Sequence, residues 1–73
     1  MAGLAVKYLV RLDTDGRRWS VYRGGKPTGA FARDMNTAIG SATREASLEA
    51  NTTDLKVTVW LEVGKRARQV WPA

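Results

Sequence analysis

The sequence predicts an α+β fold: a four- or five-stranded antiparallel sheet with one α-helix packed on one face, in the order β-β-(β)-α-β-β. Two stretches, residues 5–12 and 55–63, alternate between apolar and polar side chains, and a period of two is typical of half-buried strands. Between them, small and apolar residues recur at the i, i+3, i+4 spacing of an amphipathic helix. Because the chain has only 73 residues, residues 1–73 are expected to form a single small domain.

The first two strands form a predicted hairpin over residues 5–23, with turn chemistry from the Asp-Thr-Asp-Gly segment at 13–16. Either a four-residue loop at 13–16 or a two-residue loop at Asp15-Gly16 joins the strands. Both loops put the same side chains on each face, because only a one-residue slip exchanges the faces. The side chains expected under the helix are Val6, Tyr8, Val10, Trp19 and Val21, and those expected on the other face are Lys7, Leu9, Arg11, Arg18, Ser20 and Tyr22.

A third strand and the helix follow a glycine-rich break. Residues 30–33 are a short candidate strand that carries Phe31 inward. Asp34 or Asn36 is suited to cap the start of the helix, and Asn51 is suited to its end. The buried stripe of the helix is mostly alanine, which allows the helix to lie close to the sheet; its members are Met35, Ala38, Ile39, Ala42, Ala46 and Ala50.

The strongest strand pattern covers residues 55–63, and residues 66–71 return as the last strand after a tight turn. The apolar side of the first of these strands is expected to face the helix, so that Trp60 lies on the uncovered side. The register of the last strand stays open. One pairing sets Trp71 beside Trp60, and another sets Arg68 there, within reach of a cation–π contact.

Composition excludes several kinds of site. The chain has no cysteine and no histidine, so it offers no disulfide, no thiolate metal site, and neither the commonest zinc ligand nor the commonest general base. Its seven Asp and Glu residues follow no metal-binding spacing, and its glycine-rich segment lacks the Gly-Lys-Ser/Thr ending of a phosphate loop. We therefore expect no metal, no cofactor and no enzymatic activity.

Charge and hydropathy indicate the surroundings of the protein. No segment has the roughly 20 apolar residues of a membrane span, and Lys7 and Arg11 interrupt the amino-terminal stretch too soon for a signal peptide. The sequence therefore predicts a cytoplasmic protein without membrane contact. Twelve Lys and Arg against seven Asp and Glu give a formal net charge of +5, and such a balance favours contact with polyanions.

Basic and aromatic side chains share the side of the sheet that the helix leaves uncovered. We predict a non-enzymatic module that binds nucleic acid there, with phosphates on the cations and bases stacked on the rings; alternatively, the first hairpin enters a major groove as a β-ribbon. The predicted contact residues are Lys7, Arg11, Arg18, Tyr22, Lys56 and Trp60. In competing interpretations the charges only solvate this face, or Trp60 and Trp71 anchor a homodimer or another protein partner.

Three stretches resemble known families. "KYLVRLDTDGRRWSVY" with the helix at "NTAIGSATREASLE" resembles the start of HicB-type antitoxin domains, which have a strand, an acidic-Gly turn, a second strand and a Thr-initiated helix. "WSVYRGGKPTGAFARDMNTAIGSATREAS" with the closing hairpin is similar to short uncharacterised bacterial β-β-α-β-β domains. "YLVRLDTDGRR" through "GAFARDMNTAIGSATREA" resembles the arm-binding domains of phage integrases, which place a sheet in the DNA major groove. The first and third resemblances imply a bacterial or phage setting with DNA or its regulators nearby.

Overall fold

The elements of the chain are β1 (Ala5–Leu12), β2 (Trp19–Arg23), β3 (Lys26–Ala32), α1 (Met35–Thr52), β4 (Lys56–Val63) and β5 (Arg66–Trp71). The computed structural model describes residues 4–72, so residues 1–3 and 73 of the predicted domain lie outside the described range. The five strands form one sheet in the order β3-β2-β1-β4-β5, and α1 packs against β1 to β4. The predicted α+β fold is confirmed, in its five-stranded version.

The sheet is mixed, whereas the sequence predicts a wholly antiparallel one. β1 pairs antiparallel with β2 but parallel with β4. Parallel neighbours require a long crossover, usually through a helix, and α1 supplies it by returning the chain to the end of the sheet at which β1 begins. Alternation of apolar and polar residues within a strand does not specify the direction of the neighbouring strand. The parallel pairing of β1 with β4 therefore could not be predicted from the sequence pattern.

The first hairpin has the register of the two-residue loop, with Leu12 opposite Trp19. The loop itself is wider, because the last backbone pair before it joins the Asp13 N–H to the Arg18 carbonyl at 2.9 Å. The predicted inward face is confirmed. Tyr8, Val10 and Val21 are buried in the core, and Val6 and Trp19 pack against it.

The helix begins after Asp34, the first of the two predicted caps, and ends at Thr52, one residue beyond the predicted Asn51. The Asp34 carboxylate accepts hydrogen bonds from the Thr37 backbone N–H at 2.8 Å and from the Thr37 hydroxyl at 2.9 Å. These bonds, the backbone one first, lower the pKa of Asp34. The helix residues that are fully buried against the sheet are Ala38, Ala42 and Ala46, so the alanine stripe is the contact surface.

The third strand is longer than the predicted segment 30–33, and its aromatic side chain points the other way. Ala30 and Ala32 pack against the core, and Phe31 is 57% exposed on the opposite face. The expectation that Phe31 points inward is therefore wrong. The small side chains of Ala30 and Ala32 take the inward positions beneath the helix, and Phe31, which lies between them, points outward. A bulge interrupts the pairing of β3 with β2, where Gly29 adopts a φ of +91°.

The last strand follows neither predicted register. Trp60 lies opposite Gln69, and a bulge then brings Trp71 opposite Val59. Both predicted neighbours of Trp60, Trp71 and Arg68, are therefore wrong. Trp71 packs against the core on the helix side, so the two tryptophans lie on opposite faces of the sheet. The extra residue in the bulge turns an apolar ring toward the apolar face, which alternation alone does not predict.

One polar network ties the end of the helix to the sheet. The Tyr8 hydroxyl donates to Glu49 Oε1 at 2.6 Å, and Arg23 Nε donates to the same oxygen at 3.0 Å. Arg23 Nη2 also contacts the second carboxylate oxygen. The Arg23 guanidinium and the Tyr8 hydroxyl lower the pKa of Glu49 to about 2. Burial and, after it, the bond to Glu49 raise the pKa of Tyr8 to about 12.

This network predicts a loss of stability in acid. The pKa of Glu49 falls from 4.5 to about 2 on folding, so its contribution is complete above about pH 4.5 and disappears as the pH falls toward 2. Glu49→Gln is expected to lower the free energy of unfolding near neutral pH by roughly 1–3 kcal/mol and to flatten the fall in acid. Urea unfolding followed by circular dichroism across this pH range measures both effects. Glu45→Gln, on an exposed position one turn earlier, is the control, and an equal acid loss in Glu49→Gln and wild type would contradict the prediction.

The buried valines predict a contrast between two chemically identical substitutions in β4. Val59 is completely buried, whereas Val63 is 55% exposed. Val59→Ala is expected to destabilise the protein by roughly 1–3 kcal/mol because it leaves a cavity, and Val63→Ala by less than about 0.5 kcal/mol. Thermal or urea unfolding of the two variants tests this. Equal losses would mean that the core is not centred under the helix.

Candidate functional site

One face of the sheet carries no helix, because α1, the helix of the described residues 4–72, packs on the other. We call this surface the open face. Alternate residues of all five strands form it, and its pairings follow from the strand registers. Its side chains are Lys7, Leu9, Arg11, Ser20, Tyr22, Pro27, Phe31, Lys56, Thr58, Trp60, Glu62, Ala67 and Gln69, with Arg18 at its margin.

An apolar row crosses the middle of the open face. Tyr22, Leu9 and Trp60 are direct neighbours on β2, β1 and β4. Pro27 of β3 and Gln69 of β5 complete the row at the two edges. Since neighbouring strands lie about 4.8 Å apart, the backbones that carry the two aromatic rings are separated by about 10 Å. The row gives a polar face a continuous aromatic and aliphatic centre.

A cation lies over each ring of this row. Lys7 Nζ is 4.3 Å from the centroid of the Trp60 ring, and Arg11 Cζ is 4.9 Å from the centroid of the Tyr22 ring. Both cations come from β1, two residues before and two residues after Leu9, and therefore share its face. In the free protein, one π face of each ring is therefore covered by a cation from β1.

The Trp60 ring has a defined orientation. Its indole N–H donates to the Thr58 hydroxyl at 3.0 Å, and the two residues lie two positions apart on the same face of β4. Thr58 is also the strand neighbour of Lys7. The hydrogen bond thus holds the ring beside the strand position from which the lysine extends.

A third cation lies over a third ring at the edge of the open face. Arg18 Cζ is 4.5 Å from the centroid of the Phe31 ring. Asp13 holds Arg18 in place, since its carboxylate accepts the Arg18 Nε–H at 3.0 Å and the Ser20 hydroxyl at 2.7 Å. The Ser20 bond, followed by the Arg18 bond, lowers the pKa of Asp13. Arg18 is therefore partly neutralised by its ion pair with Asp13.

The structure places all six residues of the predicted nucleic-acid site on the open face or at its margin: Lys7, Arg11, Arg18, Tyr22, Lys56 and Trp60. It brings Lys7 together with Trp60 and Arg11 together with Tyr22. Lys56 lies at the end of β4, opposite Ala5. The predicted protein-binding pair is separated, since Trp71 lies on the helix side.

Sequence reasoning missed Phe31 as a member of this surface. The signal that could have found it is its position between two alanines, because small residues suit the side of an edge strand beneath a helix. The open face also carries negative charge beside its cations. Glu62 is the strand neighbour of Arg11, and Asp13 is bound to Arg18.

Residues 4–72 contain no group of three or more His, Cys, Asp or Glu side chains placed to hold a metal ion. The helix within this range, α1, is not long and apolar enough to cross a membrane.

Comparison of the chain with known proteins adds no relative. No family model, no curated protein and no solved structure matches it. The open face is therefore interpreted from its own geometry and chemistry.

Proposed function

We propose that the protein binds nucleic acid through the open face and acts as a non-enzymatic binding module. The observation that carries the proposal is the placement of a cation over each ring of the apolar row, Lys7 over Trp60 and Arg11 over Tyr22. A base has a flat π surface that stacks on a ring, and its phosphate is an anion that attracts the adjacent cation. Each cation–ring pair thus offers both contacts that a nucleotide makes.

The cations do not block the rings, because their contacts are weaker than the stacking that would replace them. An exposed cation–π contact contributes roughly 0.5–1 kcal/mol. Stacking of a base on an aromatic side chain contributes about 1–3 kcal/mol. Lys7 and Arg11 have long flexible side chains, so each can leave its ring and remain within reach of the phosphate of the stacked nucleotide.

The charge of the open face favours a polyanion, and not a second copy of the chain, as its binding partner. Lys7, Arg11 and Lys56 lie on the open face, and its acidic strand residue is Glu62. Two copies that met through this face would bring their lysines and arginines together, and like charges at an interface oppose association. The homodimer hypothesis also loses its second anchor, because Trp71 lies on the other side of the sheet.

The three tryptophans predict a site-specific response to ligand. Trp60 lies on the open face, whereas Trp19 and Trp71 pack against the core on the helix side. Titration of ¹⁵N-labelled protein with short oligonucleotides at low salt is expected to shift the indole N–H signal of Trp60 and to leave the other two nearly unchanged. The variant Trp60→Phe assigns the signal. Unchanged spectra at low salt would overturn the proposed function, and equal shifts of all three signals would place binding elsewhere.

Charge variants predict a change in the salt dependence of binding. Lys7→Gln and Arg11→Gln are each expected to weaken binding and to reduce the slope of log K against log salt by about 0.7–0.9. Glu62→Gln is expected to strengthen binding, because it removes negative charge from the face. Fluorescence anisotropy at several salt concentrations measures both quantities.

Arg44→Gln is the matched control for these variants. It removes the same charge from an exposed helix position, remote from the open face. An equal change in affinity and slope for Arg44→Gln and Arg11→Gln would show that net charge alone drives binding, contrary to the proposal. Concentration-dependent self-association without oligonucleotide binding would favour the protein-interaction hypothesis instead.

A further inference from the structure

We infer that the nucleic acid is single-stranded, and that Phe31 with Arg18 forms a third base-stacking position beside those of Trp60 and Tyr22. This inference rests on the proposed function, since it names the form of nucleic acid that the open face accepts. Four observations carry it: the width of the sheet, the position of the first hairpin inside the sheet, the cation over each ring, and the placement of the rings on neighbouring strands of one face.

The open face is too wide for a groove of duplex DNA. Five hydrogen-bonded strands span about 19 Å between the two outer strands at about 4.8 Å per spacing. The major groove is about 12 Å wide. The sheet face therefore meets a duplex only across its backbone ridges, where the central row of Tyr22, Leu9 and Trp60 contacts no base.

The first hairpin is not available as a two-stranded ribbon. β1 is the central strand of the sheet, between β2 and β4, and β2 is covered along its other side by β3. Only the connecting loop projects from the sheet, and its charges cancel, because Asp13 and Asp15 accompany Arg17 and Arg18. The hairpin therefore has neither the shape nor the charge needed to bind in the major groove.

An aromatic ring binds a base by stacking face to face, and only unpaired bases have a free face for such stacking. Each of the three rings has a cation over its π face, at 4.3, 4.9 and 4.5 Å from the centroid. Bases in a duplex are already stacked above and below and present only their edges. Bases of a single strand expose their faces to aromatic side chains.

The three rings form a path across four strands. Trp60 and Tyr22 lie about 10 Å apart across β1. Phe31 is opposite Ser20, and Phe31 and Tyr22 line one shallow depression together with Arg18. Beyond Phe31 the surface continues into a shallow depression lined by Asp15, Arg17, Arg18, Phe31 and Arg33. One strand of nucleic acid can therefore follow rings and cations from β4 to the end of β3.

The test compares single-stranded and duplex oligonucleotides of the same sequence by fluorescence anisotropy, with wild type and three ring variants. Wild type is expected to bind the single strand at least about tenfold more tightly than the duplex. Trp60→Leu, Tyr22→Leu and Phe31→Leu are each expected to weaken single-strand binding about tenfold. Their salt slopes are expected to stay as in wild type, because the rings carry no charge.

Trp71→Leu is the matched control, since it removes a ring from the helix side. The single-strand affinity of this variant is expected to equal that of wild type. Circular dichroism checks that every variant is folded. Binding of neither form of nucleic acid overturns the proposed function and this inference together. Equal or tighter binding of the duplex overturns the inference but leaves the proposed function standing. Unchanged single-strand binding by Phe31→Leu overturns the third stacking position, and a loss in Trp71→Leu equal to that in Phe31→Leu overturns the assignment to the open face.

Discussion

The close approach of α1 to one face of the sheet is the contact on which the rest of the structure depends. Ala38, Ala42 and Ala46 are fully buried against a sheet whose largest fully buried side chains are Val10, Val21 and Val59. Small side chains on the helix let it lie near the strands, so a thin layer of valine and alanine suffices as a core. A single helix covers a single face, however. The other face of the sheet has to be compatible with water through its own side chains.

The open face meets this requirement with cations over rings instead of a second packed layer. The charged groups of Lys7 and Arg11 lie over Trp60 and Tyr22. Long basic side chains can cover apolar surface in this way and keep their charge in water. The same contacts that shield the rings in the free protein supply the groups that a nucleotide would engage. Under the proposed function, the side chains that shield the rings of the free sheet would be the same ones that bind the nucleic acid.

The positively charged side chains of this protein lie in three different structural surroundings: an ion pair with the helix, an edge strand, and the aromatic rings of the open face. Arg23 is held by Glu49 in the network that ties α1 to β1 and β2. Arg66 and Arg68 project from the edge strand β5, where charge opposes pairing with another sheet. Lys7 and Arg11 lie over aromatic rings of the open face. A net charge of +5 describes none of these differences.

The sequence by itself determined four of the strands, the helix, two candidate caps and the side of the sheet on which most side chains lie. These features depend on residues that are only two, three or four positions apart. The alternation of a strand and the spacing of an amphipathic helix are therefore visible directly in the sequence. All six predicted nucleic-acid contacts lie on the open face or at its margin for the same reason. Only the tertiary structure decided the parallel pairing of β1 with β4, the outward position of Phe31 and the inward position of Trp71. The first depends on a helical crossover and the third on a bulge, which are set by packing between segments distant in sequence and leave no periodic signal within a strand. The second depends on which face of β3 packs beneath the helix, and there Ala30 and Ala32 take the inward positions.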